Sequence, residues 1–129
     1  MNSSSSVSKL TESVIGCAFR VYNQLGFGFL ESVYEKSLII ELRKHEFEVR
    51  SQEPIQVHYD GHVVGDFYAD LMVEGRLIVE LKSVVQLTNS HEIQLVNYLT
   101  ATGIEDGLLM NLGPEKVEVK RKFRTYLKS

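Results

Sequence analysis

An α/β domain is predicted by two hydrophobic periods and by their order along the chain. Leu10, Val14, Cys17, Ala18, Val21, Tyr22 and Leu25 fall at offsets of 4, 7, 8, 11, 12 and 15, one face of a helix. Gly26 stops that helix. Gly26-Phe27-Gly28 is a tight connection, and a second helix is expected from Phe29 to His45, with Leu30, Tyr34, Leu38 and Leu42 as its stripe. The period then shortens. Glu48–Ser51 and Ile55–Tyr59 read as two strands around Pro54, and Asp60-Gly61 is a strong hairpin signal. His62–Val73, bent at Gly65, and Leu77–Val84 follow as strands about Glu74-Gly75. Thr88-Asn89-Ser90 supplies capping side chains for a helix from His91 to Thr102, which Gly103 ends. Gly107–Asn111 and Val117–Phe123 complete the strands. The expected order is α-α-β-β-β-β-α-β-β, with no internal repeat and no linker.

A chain of 129 residues, 43% hydrophobic and 24% charged, suits one domain with one core. Residues 1–9, opening on a serine run, are expected to be a flexible N-terminus, and 10–129 the single domain. No apolar run is long enough to cross a bilayer, and no signal-peptide core is visible. Cys17 is the only cysteine, which excludes a disulfide framework and makes a reducing cytoplasm the default. It lies on an apolar helix face, where packing explains it better than reactivity.

The net charge of −3 does not advertise a nucleic-acid binder, but its distribution is uneven. Residues 114–129 carry six cations (Lys116, Lys120, Arg121, Lys122, Arg124, Lys128) and two anions, leaving eight cations and fifteen anions elsewhere. A basic end on an acidic body could track a phosphate backbone. A lysine-protected edge strand would read the same way.

The stretch from Gly65 to Ser83 concentrates the chemistry. Asp70, Glu80 and Lys82 interrupt otherwise apolar strands, where charge is costly unless paired or metal-bound. Alternation puts Glu80 and Lys82 on one face, and a two-residue turn at Glu74-Gly75 would bring Asp70 close to Glu80. Two carboxylates are the usual ligands of magnesium or manganese, and a lysine beside them can hold an attacking water or stabilise developing charge. A buried Asp–Lys–Glu ion-pair network would give the same pattern. Glu31, in the first turn of the second helix, is favoured there by the helix dipole, or is a further acidic ligand. Glu35, one turn on, reads as solvated. His45, His58, His62 and His91 lack metal-ligand spacing. His91, near the start of the last helix, reads as a surface or capping residue.

The acidic hairpin with Glu80-Leu81-Lys82, placed between helices, resembles the PD-(D/E)XK nuclease superfamily. The following helix carries Gln94-Leu95-Val96-Asn97-Tyr98, similar to the Q-x-x-x-Y motif of its RecB-like and lambda-exonuclease-like branch. Gln94 and Tyr98 are one turn apart, so their polar tips can reach one place. Gly28-Phe29-Leu30-Glu31-Ser32-Val33-Tyr34 resembles the naming motif of the GxxExxY family. The resemblance runs from Leu10 to Arg121. It implies a restriction-endonuclease-like fold with a mixed β-sheet flanked by α-helices. It implies Asp70, Glu80, the Leu81 carbonyl and Glu31 as metal ligands, with Mg²⁺ or Mn²⁺ as cofactor. Lys82 would be the catalytic lysine, and Gln94 and Tyr98 a supporting catalytic pair. Tyr22 departs from the pattern where relatives often carry a histidine, and Phe27 where they often carry a proline.

The expected function is divalent-metal-dependent hydrolysis of phosphodiesters in nucleic acid, DNA ahead of RNA, without a membrane partner. The acidic body leaves little surface for substrate grip, so a homodimer or a partner protein is expected to help. The alternative is a catalytically silent nucleic-acid-binding or partner-recruiting module on the same fold.

Overall fold

The computed structural model describes residues 3–126. Its elements are α1 (Ser3–Leu25), α2 (Glu31–Lys44), β1 (Val49–Tyr59), β2 (His62–Val73), β3 (Leu77–Lys82), α3 (Asn89–Thr102), β4 (Asp106–Leu112) and β5 (Val117–Phe123). One sheet runs β1-β2-β3-β4-β5. All pairs are antiparallel except β3 with β4, which are parallel because α3 carries the chain back between them. The mixed sheet flanked by helices is as expected.

Two cores hold the layers together. Leu10, Val14, Cys17, Ala18 and Val21 of α1 and Tyr34, Leu38 and Leu42 of α2 pack on one face of the sheet. Leu95, Tyr98 and Leu99 of α3 pack on the other with Met72, Ile78 and Leu109. Central β3 is buried from Leu77 to Leu81, as a strand covered on both faces must be.

Three details depart from the sequence reading. First, α1 begins at Ser3, ahead of the apolar period that starts at Leu10; residues 1–2 lie outside the described residues. Second, the two strands expected around Pro54 are one strand, β1. β1 is the sheet's edge, and an edge strand tolerates proline. The order is therefore α-α-β-β-β-α-β-β. Third, Leu30 does not join the α2 stripe; it is the residue before the helix and is 77% exposed.

The hairpin turns set the registers. Asp60 and Gly61 both have positive φ, 52° and 79°, as a primed turn requires. Glu74 and Gly75 have φ of 55° and 63°, and the Arg76 N–H donates to the Val73 carbonyl at 3.0 Å. Val73 then pairs with Leu77, so the loop holds three residues, not two. The extra residue, Arg76, matters. A two-residue loop would set Asp70 opposite Val79, whereas this register sets it opposite Glu80.

The connection before α2 is held by one side chain. Tyr34 is fully buried. Its hydroxyl donates to the Gly26 carbonyl and accepts from the Phe29 N–H at 3.3 Å. Gly28, at φ 119°, takes a conformation that other residues avoid. Tyr34→Phe removes the only side-chain donor given to the Gly26 carbonyl among the described residues. It is expected to cost about 1–2 kcal/mol in urea unfolding and to speed hydrogen exchange at Phe29; unchanged stability and exchange would contradict this role.

Candidate active site

The site sits where the β2–β3 ladder opens. The last paired residues are Leu71 and Val79; beyond them each carboxylate takes a backbone N–H of the opposite strand. Glu80 Oε2 accepts from the Asp70 N–H at 2.6 Å, and Asp70 Oδ2 accepts from the Leu81 N–H at 2.8 Å. The in-out alternation of β2 breaks here. Leu71 and Val73 belong to the α1–α2 core, while Ala69 and Met72 belong to the α3 core. The residue of β1 between the Ser51–Leu71 and Glu53–Ala69 pairs is Gln52, whose φ of 52° marks the same irregularity on the edge strand.

Burial makes these carboxyls unusual. Glu80 is 5% exposed. Desolvation, then the Asp70 charge, pushes its pKa from 4.5 up to about 8, against the pull of the Asp70 N–H and of Lys82. Asp70 is also raised, chiefly by burial, with the Leu81 N–H opposing. Lys82 lies two residues beyond Glu80 and is half-buried. Its charge lowers both carboxyls without a direct ion pair to either. A closed Asp–Lys–Glu network is therefore not what fills the fork.

Glu31 stands at the rim. Its Oε2 accepts from the Ser83 N–H at 3.3 Å, and Ser83 Oγ donates to the Phe29 carbonyl at 3.1 Å, so the start of α2 is tied to the end of β3. Glu31 acts on Asp70 by charge, but among the described residues no three His, Cys, Asp or Glu side chains converge as a metal cluster. Glu35, expected to be solvated, is half-buried. Ser51 Oγ and Gln52 Nε2 donate to its Oε1 at 3.2 and 3.0 Å, and its charge raises both Asp70 and Glu80. The helical stripe of α2 could not reveal this, because the partners come from the irregular turn of β1 at Gln52.

Behind the fork, Tyr98 is buried. Its pKa is raised by burial and then by the charges of Glu80 and Asp70. Gln94, on the same face of α3, is exposed and lines a neighbouring cleft with Tyr98. The α3 N-cap is Thr88, with His91 completing the capping box; His91 is the cap residue its position suggested. Asn111 is a positioning residue that the sequence reading missed. It is 2% exposed and brackets Val84 with two hydrogen bonds of 2.9 and 2.8 Å, pinning the segment after Lys82. A lone amide in the run Leu108-Leu109-Met110-Asn111-Leu112 was its signal. Tyr22 donates to the Gly113 carbonyl, so its hydroxyl supports a loop.

Part of the basic end is engaged within the fold. β5 is an edge strand. Lys122 pairs with Glu92 at 2.9 Å, and Arg124 pairs with Glu105 at 2.8 Å and stacks on Tyr126 at 4.0 Å. Two of the cations expected to meet phosphates are thus engaged in ion pairs; Lys128 lies outside the described residues. Cys17 is buried, with its thiol pKa raised by desolvation, as packing requires. No helix among the described residues is long and apolar enough to cross a membrane.

A five-stranded mixed sheet with an acidic pair and a lysine on adjacent strands defines a restriction-endonuclease-like α/β domain. The profile of the PD-(D/E)XK nuclease superfamily matches residues 8–122, and the chain belongs to that superfamily. The solved structure described as "Crystal structure of SSO0001" is similar at a TM-score of 0.59 and 17% identity, over 74% of this chain and 51% of that one. The likeness is one of fold, and this chain spans about half of that protein's length. No curated protein matches in sequence.

The raised carboxyl carries a stability signature. With a folded pKa of about 8 against 4.5 unfolded, Glu80 holds a proton in the native state that the unfolded chain has released. Its contribution is fully present below pH 4.5, falls as pH rises, and is lost above about 8. Tenfold in proton affinity is about 1.4 kcal/mol, so the loss amounts to a few kcal/mol. Urea unfolding in EDTA should give lower stability at pH 8.5 than at pH 5.5 for wild type, and a flatter profile for Glu80→Gln. Parallel profiles would contradict the assignment.

Proposed function

We propose that the protein is a divalent-metal-dependent nuclease, of the GxxExxY kind within its superfamily, that hydrolyses phosphodiester bonds in DNA or RNA, DNA ahead of RNA. The observation that carries this reading is the fork between β2 and β3. Two carboxylates share a desolvated opening, one with its pKa pushed up to about 8, and Lys82 acts on both by charge without neutralising either through contact.

The donor set fits Mg²⁺ or Mn²⁺. Magnesium takes one or two carboxylates and fills its remaining positions with waters and substrate phosphates, so a third acidic ligand is not required. Asp70 and Glu80 would hold the ion, with the Leu81 carbonyl as third ligand and Glu31 acting from the rim. When bound, such an ion acidifies water and neutralises phosphate charge. The chain's own residues do the rest. The Asp70 and Leu81 N–H groups fix the two carboxylates. Lys82 orients the attacking water and offsets charge that develops on the phosphate. Gln94 and Tyr98 support the site from α3 without ligating. Glu35 adds negative charge that strengthens the demand for a cation.

A reducing cytoplasm is the compartment proposed, a reading supported by a single cysteine that can build no disulfide framework within the chain. A homodimer or partner protein would add the grip on substrate that an acidic body lacks. The silent-module alternative predicts the same fold without turnover, and no observation favours it.

The test combines melting with cleavage. An ion that binds only the folded chain stabilises it by about 2.7 kcal/mol at a hundredfold excess over its dissociation constant. That is a rise of several degrees, at roughly 2–8 °C per kcal/mol. Mn²⁺ should raise the melting temperature of wild type and of Lys82→Ala but not of Asp70→Ala, and wild type alone should cleave single- or double-stranded DNA or RNA. A wild-type melting curve indifferent to millimolar Mn²⁺ and Mg²⁺ would overturn the proposal.

A further inference from the structure

A cleft of about 760 Å³ lies between the outer half of the β1–β2 hairpin and α3, next to the carboxylate fork but not including Asp70, Glu80 or Lys82. No Lys, Arg, Asp or Glu among the described residues lines it, and His58 is the only titratable imidazole in that lining. What it offers is chiefly a flat aromatic surface. The Phe67 ring is 42% exposed and leans on Tyr98, with ring centroids 5.7 Å apart. Gly65 makes room for that ring: a Cβ at this position would lie 2.8 Å from the Phe67 ring edge.

Beside His58, Ser90 and Thr100, the cleft carries amides. Gln94 and Asn97 are exposed, line it from α3, and make no hydrogen bond within the described residues. Three residues apart, they share a helix face, and each presents both donors and an acceptor. An aromatic platform flanked by free amides matches a flat ring with hydrogen-bonding edges. Tyr98 belongs to both regions: it lines the cleft, and its hydroxyl feels the charges of Glu80 and Asp70. A ring in the cleft is therefore a close neighbour of a phosphodiester at the fork.

We infer that this cleft receives an unpaired nucleobase of the strand whose phosphodiester lies at Asp70 and Glu80, so that the substrate is single-stranded or unpaired at that point. The inference rests on the nuclease reading for the position of the phosphate. A paired base in a duplex has its faces stacked and its pairing edge occupied, whereas an unpaired base can stack on an aromatic and expose that edge to amides. Aromatic stacking tolerates every base and needs no net positive charge. That suits a chain with a net charge of −3 whose Lys122 and Arg124 are engaged in ion pairs.

Fluorescence anisotropy of the full chain in EDTA tests this without turnover. The probes are labelled single strands of about twelve nucleotides, deoxy and ribo, an abasic strand of equal length and charge, and a duplex. Phosphate contributions cancel between the base-bearing and abasic strands. Wild type should bind the base-bearing strand about tenfold or more tightly than the abasic one, and more tightly than the duplex. Phe67→Ala, Asn97→Ala and Gly65→Ala, the last displacing the ring while circular dichroism confirms the fold, should bring that ratio towards one. Asp70→Ala should keep the ratio. Equal affinity for base-bearing and abasic strands, or a ratio unmoved by Phe67→Ala and Gly65→Ala, overturns the inference. Base-dependent binding by a wild type that never cleaves would sink the nuclease reading and leave the cleft's ligand standing; cleavage without base dependence would do the reverse.

Discussion

Asp70 and Glu80 are two carboxyls confined to one fork of the sheet, each held by a backbone N–H of the opposite strand, where both can ionise only against mutual repulsion. Neither can turn away to relieve the repulsion, because the N–H that fixes it would be left without a partner. Desolvation, and after it the charge of Asp70, raises the Glu80 pKa to about 8. The rest of the site can be understood as what this constraint demands. The β2–β3 ladder stops at Leu71 and Val79 so that the carboxylates can enter. The three-residue turn sets Asp70 opposite Glu80 and not Val79. Lys82 stands near enough to lower both carboxyls yet forms no ion pair that would close the opening.

The helices are docked to serve that opening from two sides. Tyr34 ties Gly26 to Phe29, so the residues before α2 approach β3 closely enough for Glu31 and Phe29 to meet Ser83. The Gly28-to-Tyr34 motif thus has a physical content: a glycine at φ 119°, a tyrosine that anchors the loop, and between them a glutamate aimed at the end of β3. On the other face, α3 is capped by Thr88 and His91 and ended by left-handed Gly103. Its buried Leu95 and Leu99 hold it on the sheet, leaving Tyr98 behind the fork and Gln94 beside the cleft.

Much of this was legible in the residues. The α1 period, the Asp60-Gly61 turn and the apolar hairpin around Glu74-Gly75 are local signals, and local physics reproduces them. The pairing of Asp70 with Glu80 was also legible, although its turn was read one residue short. What escaped the sequence depended on contacts between distant elements. Pro54 suggested a break, but at an exposed edge its missing N–H costs little, and β1 runs through it. Glu35 looked solvated on its own helix, and only the irregular backbone at Gln52 brings it partners. That Lys122 of β5 and Arg124 just beyond it are engaged depends on Glu92 and Glu105, which only the fold brings beside them. The cleft beside Phe67 depends on a hairpin that outruns its sheet, which no period reveals.

The central claim is that a divalent cation at the fork takes the place of the proton that Glu80 holds without it. Calorimetric titration of Mn²⁺ into the protein, in buffers of differing ionisation enthalpy, counts the protons released on binding. With Glu80 protonated below a pKa of about 8, close to one proton should leave per ion bound at pH 7, falling towards none above about pH 9. Binding with no proton release at pH 7, or binding that survives unchanged in Asp70→Ala, would contradict it.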